Sequence, residues 1–224
     1  MLIGCPFVFG QFIATIQDPD GWTNVRAAPD AQAEVIHIIQ ENDLFWFGCH
    51  SVEVTNVEEL EWVPVCVPIN DFCIAADRTY KRYDLIQGFI HSSRLLTLES
   101  MSPYLGTDFS FQYELSAFDP ADKIIETTGS SVTSRINGRT FWGTDGELPK
   151  IQIDNIKVEI EGREIIISRA LYEDLYNCDG IITIYKNGAT YFVVQGNSDG
   201  AGTYELAWVF DHKGLRQRLV GSMY

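Results

Sequence analysis

The chain has 224 residues, of which 46% are hydrophobic and 12% aromatic, and its 31 acidic and 16 basic residues give a formal net charge of -15. This aromatic content excludes a disordered chain, and the acidity disfavours a nucleic-acid binder, which needs Lys and Arg to displace counterions from phosphate. The length allows one large domain or two of roughly 100 residues each.

The N-terminus lacks the pattern of a secretory signal, because the first basic residue is Arg26 and no basic segment precedes the apolar residues. No apolar run approaches the roughly 18 residues that span a bilayer. We therefore expect a cytoplasmic protein with no membrane partner. The cysteines are odd in number and form no C-x-x-C pair, which predicts buried free thiols and no zinc site, other metal or cofactor. They are Cys5, Cys49, Cys66, Cys73 and Cys178.

Short segments rich in β-branched and aromatic residues predict strands through the first third of the chain. The predicted strands are 12–16, 34–39, 44–48 and 62–67, with turns at 18–21, 28–30 and 41–43. Several short strands at this spacing favour a small barrel.

Two segments of this third carry a family pattern. Residues 20–29, DGWTNVRAAP, resemble the D-G-x-x-N-V-R-x-x-P signature of bacterial Src-homology-3-like domains, and residues 88–95, GFIHSSRL, resemble the closing G-Y-I-H-x-S-x-L segment of that family. The resemblance covers about residues 11–96 and implies a Src-homology-3-like barrel over residues 1–97. An inserted loop, 68–87, departs from the family because it replaces a short hairpin turn. It holds Arg78, Lys81 and Arg82.

Residues 98–224 predict a second, β-rich domain. Alternating apolar residues predict a strand over 109–115, and Asn-Gly at 187–188 predicts a hairpin between 181–185 and 190–194. Strands are also predicted at 164–167, 204–210 and 215–220.

Two local patterns complete this domain. Apolar residues of mixed parity in 150–160 predict a turn at 154–155 that divides two strands. Leu171 and Leu175, one helical turn apart behind a cap at Ser168, predict one short helix over 168–176. The predicted fold class is therefore mainly β, with a Src-homology-3-like small barrel followed by a β-sandwich-like or α+β domain.

The chain carries no phosphate-binding loop, no zinc-protease motif and no nucleophile elbow, so we predict no catalytic residues and no enzyme. His37 lies inside a predicted apolar strand, and His91 occupies a position that the family resemblance implies, which favours structural roles for both. An enzyme with dispersed carboxylates in the second domain is a third possibility, provided that two of them face each other across a cleft. The candidates are Asp145, Glu147, Glu173 and Asp174.

Charge placement is the most informative feature of the sequence. Residues 27–77 contain ten acidic residues and no Lys or Arg. This stretch is either a solvated surface that keeps the protein in solution or a surface for a basic partner, with nearby tryptophans as anchors. The predicted partner-binding residues are Asp18, Asp20, Trp22, Glu53, Glu58, Glu59, Glu61 and Trp62.

These observations predict a non-enzymatic inhibitor that binds a protein partner. Its specific form is an immunity protein that covers the active site of a basic secreted antibacterial toxin, for example a nuclease, with an acidic surface. The mosaic of a small recognition barrel and an unrelated domain resembles such proteins by fold-level analogy. The alternatives are a cell-wall or peptide-binding module and a general adaptor protein.

Overall fold

The computed structural model describes residues 13–48, 59–73, 85–129, 132–198 and 200–221. Within them the protein is mainly β, as the sequence predicts, with 3-10 turns at Ser92–Arg94, Leu98–Ser100, Arg169–Leu171 and Gly200–Gly202. No helix in the described ranges is long and apolar enough to cross a membrane. The strands are β1 (Ile13–Ile16), β2 (Trp22–Arg26), β3 (Val35–Gln40), β4 (Phe45–Phe47), β5 (Trp62–Pro68), β6 (Leu85–His91), β7 (Leu95–Thr97), β8 (Phe109–Ala117), β9 (Ile125–Thr128), β10 (Val132–Ile136), β11 (Ile151–Ile160), β12 (Arg163–Ile166), β13 (Thr183–Asn187), β14 (Thr190–Asn197), β15 (Tyr204–Asp211) and β16 (Gly214–Gly221).

The first seven strands form one antiparallel sheet in the order β3-β2-β6-β5-β4-β1-β7. Within the described residues its end strands, β3 and β7, do not pair with each other, so the sheet is not closed into the expected barrel. Alternation along β2 buries Thr23 and Val25 and directs Trp22, Asn24 and Arg26 outward. The sheet covers a core of its own, formed by Ala14, Ile16, Val25, Ile39, Phe45, Phe47, Val63, Val65, Val67 and Ile90.

The later strands form two main sheets, β12-β11-β8 and β13-β14-β15-β16, and a small pair, β9 with β10. The two main sheets pack through aromatic side chains. Phe109 stacks on Tyr191 with ring centroids 4.4 Å apart. Trp208 Nε1 donates a hydrogen bond of 2.8 Å to the Tyr113 hydroxyl, and both side chains are buried. Such stacking adds to the burial of apolar area, so this contact fixes how the sheets face each other.

The predicted turn at 154–155 is wrong. β11 is one strand, and its register against β8 shifts between Ile153 and Asn155, which leaves Asp154 as an extra residue. A β-bulge changes the face to which side chains point without ending the strand. Mixed parity therefore marks a bulge here.

The predicted helix over 168–176 is also wrong, because only Arg169–Leu171 forms a single 3-10 turn. The Ser168 side chain makes no capping hydrogen bond. Beyond this turn the backbone pairs with Trp142, whose N–H donates to Asp174 O and whose carbonyl accepts from Tyr176 N. Tertiary pairing thus replaces the helical hydrogen bonds that the leucine spacing favours.

Strand β16 joins the N-terminal region to the C-terminal region. The Gln217 side chain donates to Leu44 O (2.9 Å) and accepts from Leu44 N (2.7 Å). Gly221 lies against Trp46, since a Cβ there would be 2.7 Å from Trp46 Cζ2. The larger buried core includes Leu98 and other residues from both sides of the predicted boundary at 97/98.

The predicted inserted loop is shorter than expected at both ends. Pro68 ends β5, and residues 85–87 already belong to β6, because the β5–β6 hairpin continues to the pair Pro68↔Leu85. Residues 71–73 lie on the C-terminal region, where Asp71 O accepts from Arg218 N. The basic residues at 78, 81 and 82 lie outside the described residues.

The cysteines depart from the prediction at one position. Cys73 and Cys178 are buried free thiols, as predicted. Cys66 is disulfide-bonded, so the expectation of free thiols is wrong for it. Cys5 and Cys49 lie outside the described residues.

Candidate functional site

A groove of about 400 Å³ opens on the first sheet, between the turn that follows β1 and the segment that follows β6. Four of the eight predicted partner-binding residues, Asp18, Asp20, Trp22 and Trp62, line it together. The remaining lining residues are Thr23, Asn24, Arg26, Ala31, His91, Ser93 and Arg94.

The strand register explains why these residues meet. Trp22, Asn24 and Arg26 alternate with buried residues along β2 and therefore share the outer face. Strand β6 crosses close to β2 at Gly88, where a Cβ would lie 2.6 Å from the Arg26 carbonyl oxygen. This close approach requires glycine, and it brings the end of β6, with His91, beside β2.

One end of the groove is a fixed ion pair. Arg94 Nη1 lies 3.1 Å from Asp18 Oδ2, and the Asp18 side chain is only 6% exposed. The other carboxylate oxygen of Asp18 accepts from the Asp20 backbone N–H at 3.0 Å, and Asp18 O accepts from Gly21 N. Asp18 therefore orients the turn, whereas the exposed Asp20 is directed to solvent.

Two tryptophans supply the apolar surface of the groove. The Trp22 side chain is 40% exposed, although indole rings usually lie mostly buried. Trp62 lies opposite His91 in the β5–β6 pairing, and the two rings meet edge to face with centroids 5.5 Å apart. Exposed aromatic rings beside charged groups are typical anchors of protein interfaces.

His91, Ser93 and Glu61 resemble a proton relay but do not form one. The Ser93 backbone N–H donates to His91 Nδ1 at 3.3 Å, and Ser93 Oγ lies 2.8 Å from the same nitrogen. His91 thus caps the 3-10 turn through Nδ1. Glu61 Oε1 lies 4.0 Å from Nε2, beyond hydrogen-bond distance. The arrangement organises the groove and presents the Nε2 edge of the imidazole to a ligand.

Of the other four predicted partner-binding residues, the two that the structure describes do not line the groove. Glu59 and Glu61 are exposed, and Glu61 O accepts from Ser92 N beside the groove. Glu53 and Glu58 lie outside the described residues. Sequence reasoning gave His91 only a structural role. Its place across from a tryptophan strand was the signal that could have identified it.

The groove lining itself is not acidic, because two carboxylates and two guanidinium groups face it. The surrounding region is acidic. Its described residues up to 97 contain nine carboxylates and only Arg26 and Arg94 as Lys or Arg. Both arginines have partners, since Arg26 Nη1 donates to Ala33 O at 2.7 Å and Arg94 pairs with Asp18. A cationic ligand would therefore meet an unbalanced negative surface.

Two of the four carboxylates proposed for an enzyme of the second domain, Asp174 and Glu173, form ion pairs with arginines. Asp174 accepts two hydrogen bonds from Arg218 Nη2, at 2.7 and 2.9 Å, and Arg218 is fully buried. Glu173 contacts Arg139 at 3.0 Å and Arg169 at 3.9 Å. These two side chains do not face each other across a cleft as acid and base.

Charge pairing recurs elsewhere in the C-terminal region. Lys186 Nζ lies 2.8 Å from Asp108 Oδ2, and the Tyr191 hydroxyl donates to the same oxygen at 2.6 Å. These hydrogen bonds lower the pKa of Asp108 to about 2. The ammonium also lies over the Tyr191 ring, 4.6 Å from its centroid. The protein thus provides its own partners for these charges.

Burial determines the reactivity of the Cys178 thiol in the C-terminal region. Cys178 is buried, and desolvation raises its pKa to about 12 despite hydrogen bonds from neighbouring side chains. A thiol in this state is a poor nucleophile. No group of three or more His, Cys, Asp or Glu side chains within the described ranges could hold a metal ion.

Comparisons of the chain with protein-family models, with curated proteins and with solved structures found no match. The geometry of the groove and the distribution of charge are therefore the basis for a functional proposal.

Proposed function

We propose that the protein is a non-enzymatic inhibitor that binds a basic protein partner through its N-terminal region, whose fold is Src-homology-3-like. The observation that carries this proposal is the groove with Trp22 and Trp62, set in a region where carboxylates far outnumber basic groups. Aromatic anchors supply affinity by desolvation, and a complementary potential raises the association rate.

The specific form that we propose is an immunity protein, which would cover the active site of a basic secreted antibacterial toxin, for example a nuclease. The acidic surface suits a toxin whose cleft is positively charged, because it would occupy the place of the nucleic-acid backbone. Isothermal titration calorimetry with the purified products of the adjacent genes tests this form. Tight binding to a basic product and loss of its toxicity are expected, and the absence of binding to every adjacent product would contradict it.

Charge reversal tests the surface itself. The variant Asp20→Lys/Glu59→Lys/Glu61→Lys changes three exposed carboxylates around the groove. We expect at least about tenfold weaker binding and a reduced salt dependence, since each charge contributes through a screened potential.

The matched control reverses three exposed carboxylates of the C-terminal region, in Glu147→Lys/Glu159→Lys/Glu164→Lys. Both variants change the net charge equally, so only the position of the charges differs between them. Equal losses of affinity in the two variants would show that bulk charge, rather than this surface, controls binding.

A peptide-binding module is the second candidate, and the exposed Trp22 and half-buried Trp62 of the groove favour it. In this form the groove would take a short segment of a cell-wall peptide or of an adaptor partner. Retention on purified peptidoglycan that is lost in Trp22→Ala would support it, whereas passage through the column by the unmodified protein would contradict the cell-wall form.

A further inference from the structure

The edge strand β3 extends the groove surface. In the register of β2 with β3, Ile38 lies across from Asn24, and Val35 lies across from Arg26. Cross-strand partners share one face of a sheet, so both apolar side chains continue the face that lines the groove. Ile38 is 44% exposed and Val35 is 43% exposed. Exposed apolar side chains of β3 therefore extend the surface of the groove on one side.

No described strand pairs with the outer edge of β3, which is the terminal strand of its sheet and pairs only with β2 among the described residues. A terminal strand directs N–H and C=O groups outward, and natural edges are usually blunted by Lys, Pro, inward-pointing charges or β-bulges. The β3 sequence, VIHIIQ, contains no Lys, Pro, Asp or Glu. One bulge lies at Ile36, where the register against β2 shifts, and residues 37–40 pair with β2 without interruption.

We propose that β3 is a docking edge to which an extended segment of the partner protein adds as a further strand. This inference rests on the proposed function and specifies its mode of binding. Main-chain hydrogen bonds to β3 give affinity, while alternate side chains of the added strand contact Val35 and Ile38 and reach the groove.

Charge identifies the occupant as a basic segment rather than a second copy of this chain. Antiparallel pairing of β3 with itself, centred between His37 and Ile38, would place Glu34 directly across from Glu41, and like charges in that position destabilise a sheet. Both glutamates are exposed and flank the strand. A partner strand with Lys or Arg toward its ends would pair with them.

The probe for the test is a short acetylated and amidated peptide that alternates lysine and valine. Its controls are the same peptide with N-methyl groups on alternate amides, which cannot form one edge of the ladder, and a version with glutamate in place of lysine. Binding is measured by fluorescence anisotropy, and protection of β3 is measured by amide hydrogen exchange. We expect slower exchange within residues 35–40 and at least about tenfold weaker binding of each control peptide.

A pair of variants distinguishes binding at the edge of β3 from non-specific binding to exposed apolar side chains. Ile38→Lys places a charge on β3 and should weaken binding about tenfold or more. Ile166→Lys is the matched control, because Ile166 is 89% exposed on β12, the terminal strand of another sheet. Circular dichroism of both variants confirms that each is folded.

Three outcomes would overturn the inference. Equal binding of the N-methylated peptide would show that strand addition does not occur, while charge-guided binding in the groove, and hence the proposed function, would stand. Dimerisation that Ile38→Lys abolishes would identify a second copy as the occupant. Failure of the lysine–valine peptide to bind at about 1 mM would also refute the docking edge. Calorimetry with the adjacent gene products judges the proposed function separately.

Discussion

The N-terminal and C-terminal regions carry nearly equal charge but arrange it differently. Residues 1–97 contain 13 acidic and 5 basic residues, and residues 98–224 contain 18 and 11. In the C-terminal region basic side chains pair with carboxylates of segments distant in the chain, as in Lys157 with Glu114 and Arg218 with Asp174. In the N-terminal region the two described arginines are engaged locally and exposed carboxylates predominate. Net charge alone therefore does not locate an interaction surface, whereas the pairing of charges does.

The buried ion pair of the C-terminal region gives the largest expected effect. Asp174→Leu would leave the fully buried Arg218 guanidinium without its carboxylate, which should cost about 3–5 kcal/mol of the free energy of unfolding in urea. Lys157→Ala is the control, because it breaks an exposed pair with Glu114 and should cost less than about 1 kcal/mol. Equal losses in the free energy of unfolding of the two variants would show that burial does not determine how much an ion pair stabilises this protein.

The contact between the regions gives the next effect. Gln217→Leu would leave the N–H and C=O of Leu44 without their partners, with an expected cost of about 2 kcal/mol. Gln112→Leu, at an exposed position of β8, is the control. Tryptophan fluorescence and circular dichroism followed during urea unfolding measure both. An unchanged midpoint for Gln217→Leu would mean that this contact does not stabilise the fold.

Acid titration distinguishes a charge paired within the fold from one directed to solvent. The pKa of Asp108 is lowered from 3.8 to about 2, so its ion pair stabilises the protein above about pH 4 and ceases to do so as the pH falls toward 2. The stability difference between the unmodified protein and Asp108→Asn should therefore disappear over this interval. The exposed Asp122→Asn is the control. A difference that persists at pH 2 would contradict the assignment.

The smallest effect on stability is expected in the groove. Trp22→Ala removes a side chain that is 40% exposed and should cost less than about 1 kcal/mol, even though binding of the partner is lost. Trp208→Ala, at a fully buried indole of the C-terminal region, should cost about 3–5 kcal/mol. Thermal and urea unfolding of the pair measure this contrast. Similar costs would place Trp22 in the core and remove it from the candidate interface.

Local patterns in the sequence determined most of the strands. The apolar pattern of residues 34–39 located β3, and the Asn-Gly signal located the hairpin whose strands pair at Asn187↔Thr190. Both depend on neighbours within a few residues, which the sequence displays directly. Trp22 and Trp62 were candidate anchors only because they lie near the acidic stretch, and strand β2 was not predicted.

Only the tertiary structure decided which distant residues meet. It placed His91 beside Trp62, replaced a predicted helix by a 3-10 turn and a backbone pairing with Trp142, and joined Arg218 to Asp174. It also showed that the groove lining has balanced charge, with two carboxylates and two guanidinium groups. These outcomes depend on sheet order and on hydrogen bonds between residues far apart in the chain, and no local periodicity encodes them.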